Sequence, residues 1–278
     1  WKKEGKRIDW IKPYTKIKDV KYSKTEVKIK WYYDGTLNAS ANCIDRHLDS
    51  RGDKTAILWE GNEPGENRKL TYRQLHEEVC KFSNVLKSHG VKKGDRISIY
   101  MPMVVELAIA MLACARVGAI HSIVFGGFSP TALADRIIDS NCTVLVTTDG
   151  GFRGPKPVPL KSNVDEAMKL AEKEGVVVKS CIVSQRLGEK ISVHMQPGRD
   201  TWWNEEMASA DPVCDAEVMS SEDPLFILYT SGSTGKPKGM VHSCGGYMVY
   251  SEYSFKNVFQ YNKGDVYWCT ADIGWITG

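Results

Sequence analysis

Ten consecutive residues, Thr230-Ser231-Gly232-Ser233-Thr234-Gly235-Lys236-Pro237-Lys238-Gly239, gather four hydroxyls, two ammonium groups and three glycines in one run. Polyphosphate binding is the chemistry this run suits. Phosphate oxygens only accept hydrogen bonds, and every hydroxyl and ammonium here carries donors. The glycines reach backbone angles closed to other residues, so successive N–H groups can turn toward one anion. Pro237 breaks the GxxxxGK[ST] nucleotide-loop pattern. It lacks an N–H and biases Lys236 toward extended angles, which predicts a turn rather than a helix start. Composition alone also suits a solvated linker. The flanks argue for a site: Leu225 to Tyr229 reads as a buried strand and residues 240–255 as a mostly apolar helix, so the run joins two core elements.

Such a loop needs a frame, and the chain alternates helical and strand patterns. That predicts an α/β fold with layered sheets flanked by helices. Thr71-Tyr72-Arg73-Gln74 is a capping box opening a helix with Leu75, Val79, Phe82 and Leu86 at helical spacing, and Gly90 can end it. A strand is expected at 96–101, a helix at 102–117 starting with Pro102, and a strand at 119–125. Ser129-Pro130 offers an N-cap and a first-turn proline for a helix to about Ser140. A strand at 142–148, a helix at about 163–174 and a strand at 176–184 follow. The stretch 185–224 reads as irregular, joining two subdomains. In open α/β sheets ligands collect at the carboxyl ends of strands. The 230–239 run and the glycine-rich Gly150 to Lys156 segment both follow strands.

YTSGSTGKPKG (229–239) resembles the phosphate-loop signature of the adenylate-forming acyl-CoA synthetases. Residues 30–49, 100–140 and 267–278 each resemble the acetyl-CoA synthetases in that superfamily, and the resemblance covers the chain in order. It implies a two-step reaction. A carboxylate attacks the α-phosphate of ATP to give an acyl-adenylate and pyrophosphate, then the thiol of coenzyme A takes the acyl group. Thr230, Ser231, Gly232, Ser233, Thr234, Gly235, Lys236, Lys238 and Gly239 would hold the β- and γ-phosphates, with Mg²⁺ assisting. The segment Gly150-Gly151-Phe152-Arg153-Gly154-Pro155-Lys156 resembles the coenzyme A loop, with Arg153, Gly154 and Lys156 meeting its phosphates. The family often has Arg where Lys156 stands, and Lys offers a point charge instead of a planar fork. Phe125-Gly126-Gly127 resembles the stretch that the adenine ring lies against, which places Phe125, Gly126 and Gly127 with the coenzyme A-binding residues, although Phe125 also suits plain core packing. Trp275-Ile276-Thr277-Gly278 resembles the acid-binding wall. Ile276 and Thr277 would narrow it toward acetate, and Thr277 would also border coenzyme A. Asp272 reads as a turn or capping carboxylate.

The implied activity is acetate–CoA ligation, AMP-forming. The alternatives are a propionyl-CoA synthetase relative or, for these residues alone, a non-catalytic nucleotide- or coenzyme A-binding domain. Trp1 is not an initiator Met and Gly278 falls inside a family motif, so an N-terminal piece of a longer enzyme is expected. The lysine usually held responsible for adenylation belongs to a later lid, so no catalytic residue is assigned. The expected organisation is an N-terminal extension at 1–48, a first α/β subdomain at 49–220 and the start of a second at 221–278.

Composition excludes little else. Eight cysteines include no CxxC pair, which fits reduced thiols in a cytoplasmic protein, and the six histidines show no metal-ligand spacing, so no metal site is expected. Residues 101–124 are long enough to span a bilayer. Glu106, Arg116 and His121 interrupt them, favouring a helix followed by a strand and no membrane partner. Residues 1–30 hold eleven Lys/Arg against four Asp/Glu, a net +7. Trp10, Ile11, Tyr14 and Ile17 interleave these charges, as in an arm packed on a larger domain rather than a nucleic-acid binder. The expected partners are the small molecules acetate, ATP and coenzyme A.

Overall fold

The computed structural model describes residues 1–230, 235 and 237–276, and its frame is a seven-stranded sheet. In chain order the strands are β1 (Arg96–Met101), β2 (Ile120–Phe125), β3 (Val144–Thr148), β4 (Ser180–Ser184), β5 (Asp200–Trp202), β6 (Pro224–Thr230) and β7 (Lys238–Ser243). Their spatial order is β5-β4-β3-β1-β2-β6-β7. All neighbours run parallel except β6 and β7. A parallel sheet must be covered on both faces, and β1 shows it. Ile97, Ile99 and Met101 enter one apolar cluster with helices α1 (Tyr72–Ser88) and α2 (Val105–Arg116). Tyr100 points the other way, into a cluster with α3 (Pro130–Ser140) and α4 (Leu160–Lys173).

The local signals explain most boundaries. Thr71 and Gln74 form both halves of the capping box. Ser129 accepts from the Ala132 N–H with Pro130 in the first turn. Other boundaries move. The helix expected from Pro102 starts at Val105, and the one expected at 163 starts at Leu160. Residues 240–243, expected to be helical, belong to β7, whose ladder on β6 pairs Thr230 with Lys238 through to Phe226 with His242. Tertiary pairing there overrides a short apolar run of ambiguous period, and α6 (Cys244–Asn257) follows. The stretch expected to be irregular holds β5 and helix α5 (Trp203–Ser209). Trp203 of α5 stacks on Phe82 at 3.8 Å between ring centroids. The sheet takes strands from both sides of residue 220. A division at 220 and 221 therefore separates no two sheets among the described residues.

The N-terminal arm closes back on the chain's far part. Its hairpin, Lys18–Tyr22 with Val27–Trp31, leads to Thr36–Leu37, which pairs with Met219–Ser220. The Trp31 N–H donates to Glu222 at 2.6 Å, and the Ser221 hydroxyl donates to the Trp31 carbonyl at 2.7 Å. The Asn38 amide donates to the carbonyls of Ala115, Arg116 and Glu217. No helix among the described residues is long and apolar enough to cross a membrane.

One buried charge sits behind this seam. Arg116 is 4% exposed and donates twice to the Asp45 carboxylate, 2.9 Å each, and once to the Cys214 carbonyl. Burial pushes the Asp45 carboxyl up, but its hydrogen bonds with His76 and Arg116 outweigh that and hold it well below the usual carboxylate range. The hydrogen bond to Asp45, then the one to Cys80, raises His76 to about 9. Asp45→Ala leaves the guanidinium buried and unpaired, so urea titration is expected to show a loss of about 3–5 kcal/mol. A loss below about 1 kcal/mol, typical of exposed pairs, would refute this role for the pair. His76 is raised on folding, so its contribution is complete below the ordinary value of about 6.5 and disappears as pH rises through about 9. The urea midpoint should fall across that window, and His76→Gln should flatten the fall.

Candidate functional site

The carboxyl ends of β1, β2, β3 and β6 carry the predicted site residues. β1 lies where the strand order reverses, with β2 on one side and β3 on the other, which is where an open sheet leaves a crevice. Two chain segments close over Met101 and Pro102 there. A Cβ on Gly126 would lie 3.2 Å from the Met101 carbonyl oxygen, and one on Gly151 would lie 3.3 Å from the Pro102 side chain. The structure thereby brings the Phe125 to Gly127 and Gly150 to Lys156 segments to one strand end.

The second segment is a hairpin. Gly150–Arg153 pairs antiparallel with Lys156–Pro159, and Arg153 stands directly opposite Lys156. Two residues, Gly154 and Pro155, make the turn, and Gly154 has φ +59°, the left-handed region that glycine enters without a Cβ penalty. Arg153 and Lys156 are both exposed. Like charges opposed across a hairpin repel, and an anion between them would relieve that repulsion.

What fixes this hairpin escaped the sequence reading. Asp149 is 1% exposed, and its carboxylate accepts the backbone N–H groups of Gly150, Arg186, Leu187 and Gly188 at 2.7 to 3.0 Å. Its carbonyl accepts from Leu160 and Lys161 at the start of α4. The Arg186 guanidinium pairs with Glu66 and lies 5.1 Å from the Trp59 ring and 5.4 Å from the Phe152 ring. From the strand pair Thr55–Glu60 and Asn67–Thr71, the connecting loop sends the Asn62 amide to the Gly154 carbonyl at 3.3 Å. Asp149 lies beside the glycine-rich segment, which is the only sequence signal that could have found it.

The phosphate-loop run leaves β6 at Thr230 and re-enters the sheet at Lys238, its register partner. Gly235 has φ +97° and nothing within 4 Å of a built Cβ. Lys238 is exposed, and Gly239 pairs with Tyr229. Ser231, Gly232, Ser233, Thr234 and Lys236 lie outside the described residues, as do Thr277 and Gly278. Beneath the run, the Tyr229 hydroxyl donates to Asp139 at 2.7 Å. Arg136, 6% exposed, sits 5.3 Å from the Tyr229 ring and 4.6 Å from Phe128. Burial lowers its pKa. Asp139 and Arg136 thus tie the end of β6 to α3 through Tyr229, and the sequence offered no sign of these two.

At the end of the described chain, Trp275 meets Phe125 at 5.9 Å and Phe128 at 5.8 Å. Phe125 is thus part of an aromatic corner as well as a strand terminus. Asp272 accepts the Gly274 N–H at 2.7 Å and shapes the turn, and burial pushes its carboxyl up. Ile276 is exposed on one side but borders a cavity of about 60 Å³ that Met111, His121, Ile123, Phe226 and Tyr247 also line. Burial pushes the His121 imidazole down to about 4, so it stays neutral near pH 7. His242 stacks on Phe226 at 4.4 Å between centroids. A much larger cleft, about 1010 Å³, opens between Arg46, Arg51, Lys54, Phe255 and Lys263. None of the predicted site residues that the structure describes lines it.

Residues 44–278 match the family model for AMP-binding enzymes, and residues 1–43 match the acetyl-coenzyme A synthetase N-terminus. The chain is 59% identical over 278 residues to an acetyl-coenzyme A synthetase of Brucella anthropi and 60% identical to that of Aeromonas salmonicida. All of this chain is aligned in each case, and it spans 42% of the relative's length. Among solved structures it resembles an acetoacetyl-CoA synthetase from Streptomyces lividans, with a TM-score of 0.87 and 26% identity over 99% of this chain and 41% of that one. Sequence and architecture together place this chain in the family of AMP-binding enzymes.

Proposed function

We propose that the chain is the N-terminal part of a cytoplasmic acetate–CoA ligase of the AMP-forming kind, which activates acetate with ATP and passes the acetyl group to coenzyme A. The observation that carries this reading is the opposed pair of exposed cations, Arg153 and Lys156, at a strand end shared with the Phe125 to Gly127 segment. It supports a ligand with more than one phosphate, and the acetyl-coenzyme A synthetases that align with the whole chain support coenzyme A as that ligand.

In the first step a carboxylate oxygen of acetate bonds to the α-phosphorus of ATP and the bond to the bridging oxygen breaks, releasing pyrophosphate. Two anions must be held together while charge builds on the leaving group. The 230–239 run takes that task, with Lys236 and Lys238 as its cations. In the second step the coenzyme A sulfur attacks the acyl carbon and AMP leaves. Arg153 and Lys156 anchor the coenzyme from its phosphates, and Phe125 with Trp275 walls the route to the acyl group. Ile276 and Thr277 border the acid and favour a short chain. One methylene is worth only about 1–3 kcal/mol of discrimination, so propionate enters more weakly. Mg²⁺ is the ion the resemblance implies. Among the described residues, no group of three or more His, Cys, Asp or Glu side chains is placed to hold a metal, so these side chains offer it no such site.

Two half-reactions separate these roles in the full-length enzyme. Lys236→Ala or Gly235→Pro is expected to slow acetate-dependent pyrophosphate exchange, whereas Arg153→Ala mainly raises the coenzyme A concentration needed for thioester formation. An Arg153 variant that loses exchange and keeps its coenzyme A dependence contradicts the assignment. In a panel of acids, faster pyrophosphate release with propionate than with acetate would favour a propionyl-CoA synthetase relative.

A further inference from the structure

We propose that the turn at residues 185–190 is the second wall of the coenzyme A site and that Lys190 is a third cation for the ligand's phosphates. The inference rests on the reading of the Gly150 to Lys156 hairpin as the coenzyme A loop. The turn follows β4, the strand next to β3, so it rises from the same end of the sheet as the hairpin. Phe152, the residue before Arg153, is flanked by two cations from this turn. The Lys190 ammonium lies 5.0 Å from its ring centroid and the Arg186 guanidinium 5.4 Å.

The two cations are not equivalent. Arg186 is neutralised by Glu66 and held between Trp59 and Phe152. Lys190 is exposed, and no ion pair engages it among the described residues. Coenzyme A asks for more charge than Arg153 and Lys156 provide. Its phosphomonoester alone carries about −1.5 to −2 at neutral pH, and its pyrophosphate linkage adds to that. An ammonium over the Phe152 ring, one residue from Arg153 in the hairpin and without an ion pair among the described residues, suits the remainder.

The turn is also fixed in place, as a binding wall must be. Asp149 holds the N–H groups of Arg186, Leu187 and Gly188 while also capping Gly150 at the root of the hairpin. One carboxylate therefore sets the distance between hairpin and turn, which makes Asp149 a positioning residue for both.

The test uses the full-length enzyme. Lys190→Glu is expected to raise the KM for coenzyme A about tenfold, with a smaller change in kcat, and added salt should shrink the difference as it screens exposed charge. Lys190→Arg should restore most of the native KM, which a merely structural role for the stem would not require. Acetate-dependent pyrophosphate exchange, measured in parallel, reports whether the first half-reaction has been disturbed. A KM within about twofold of native in Lys190→Glu, alongside a raised KM in Arg153→Ala, overturns the role given to Lys190. Should Arg153→Ala also leave the KM unchanged, the reading of the hairpin fails and this inference falls with it.

Discussion

Four backbone N–H groups converge on the buried carboxylate of Asp149, and much of the site's geometry follows from that convergence. A buried charge is costly unless hydrogen bonds satisfy it. Backbone amides supply them here, so no cation is spent on this carboxylate. A basic partner would have cancelled charge that the exposed hairpin needs. The donors come from both loops, Gly150 from the hairpin and Arg186, Leu187 and Gly188 from the turn. The strand ends β3 and β4, adjacent in the sheet, therefore carry their loops as one unit.

A second consequence is a division of labour across the crevice at β1. On the β3 side the anchors are an amide-bound carboxylate, an ion pair and two aromatic faces around Arg186. On the β6 side they are a tyrosine hydroxyl on Asp139 and a buried guanidinium between Phe128 and Tyr229. Gly154 and Gly235 each take a positive φ, +59° and +97°, which glycine enters without a Cβ penalty. The Tyr100 hydroxyl links the two sides, donating to the Phe128 carbonyl at 2.7 Å and accepting from Asn163 at the start of α4.

The sequence announced the turns better than their supports. Glycine at a left-handed turn, a capping box and a proline in a first helical turn are local devices, so each can be read within four residues. Thr71 with Gln74 and Ser129 with Pro130 appear where expected. Asp149 meets partners 37 to 39 residues away, and Glu66 meets Arg186 across 120. No periodicity encodes such pairs. Strand β5 has three residues and no room to show alternation, and β7 is a strand because β6 lies beside it. The resemblance at 229–239 falls on the carboxyl end of β6, although five of its eleven residues lie outside the described residues.

The N-terminal arm shows what such long-range contacts imply for a growing polypeptide. Its tryptophan at position 31 is fastened by Ser221 and Glu222, across separations of 190 and 191 residues. Domains form as units during synthesis, yet this clasp on Trp31 closes only after the ribosome has delivered residue 222. Trp10, Tyr14, Tyr32 and Trp31 are linked by ring contacts inside the arm, so its aromatic knot can tie early while its fastening to the sheet must come late.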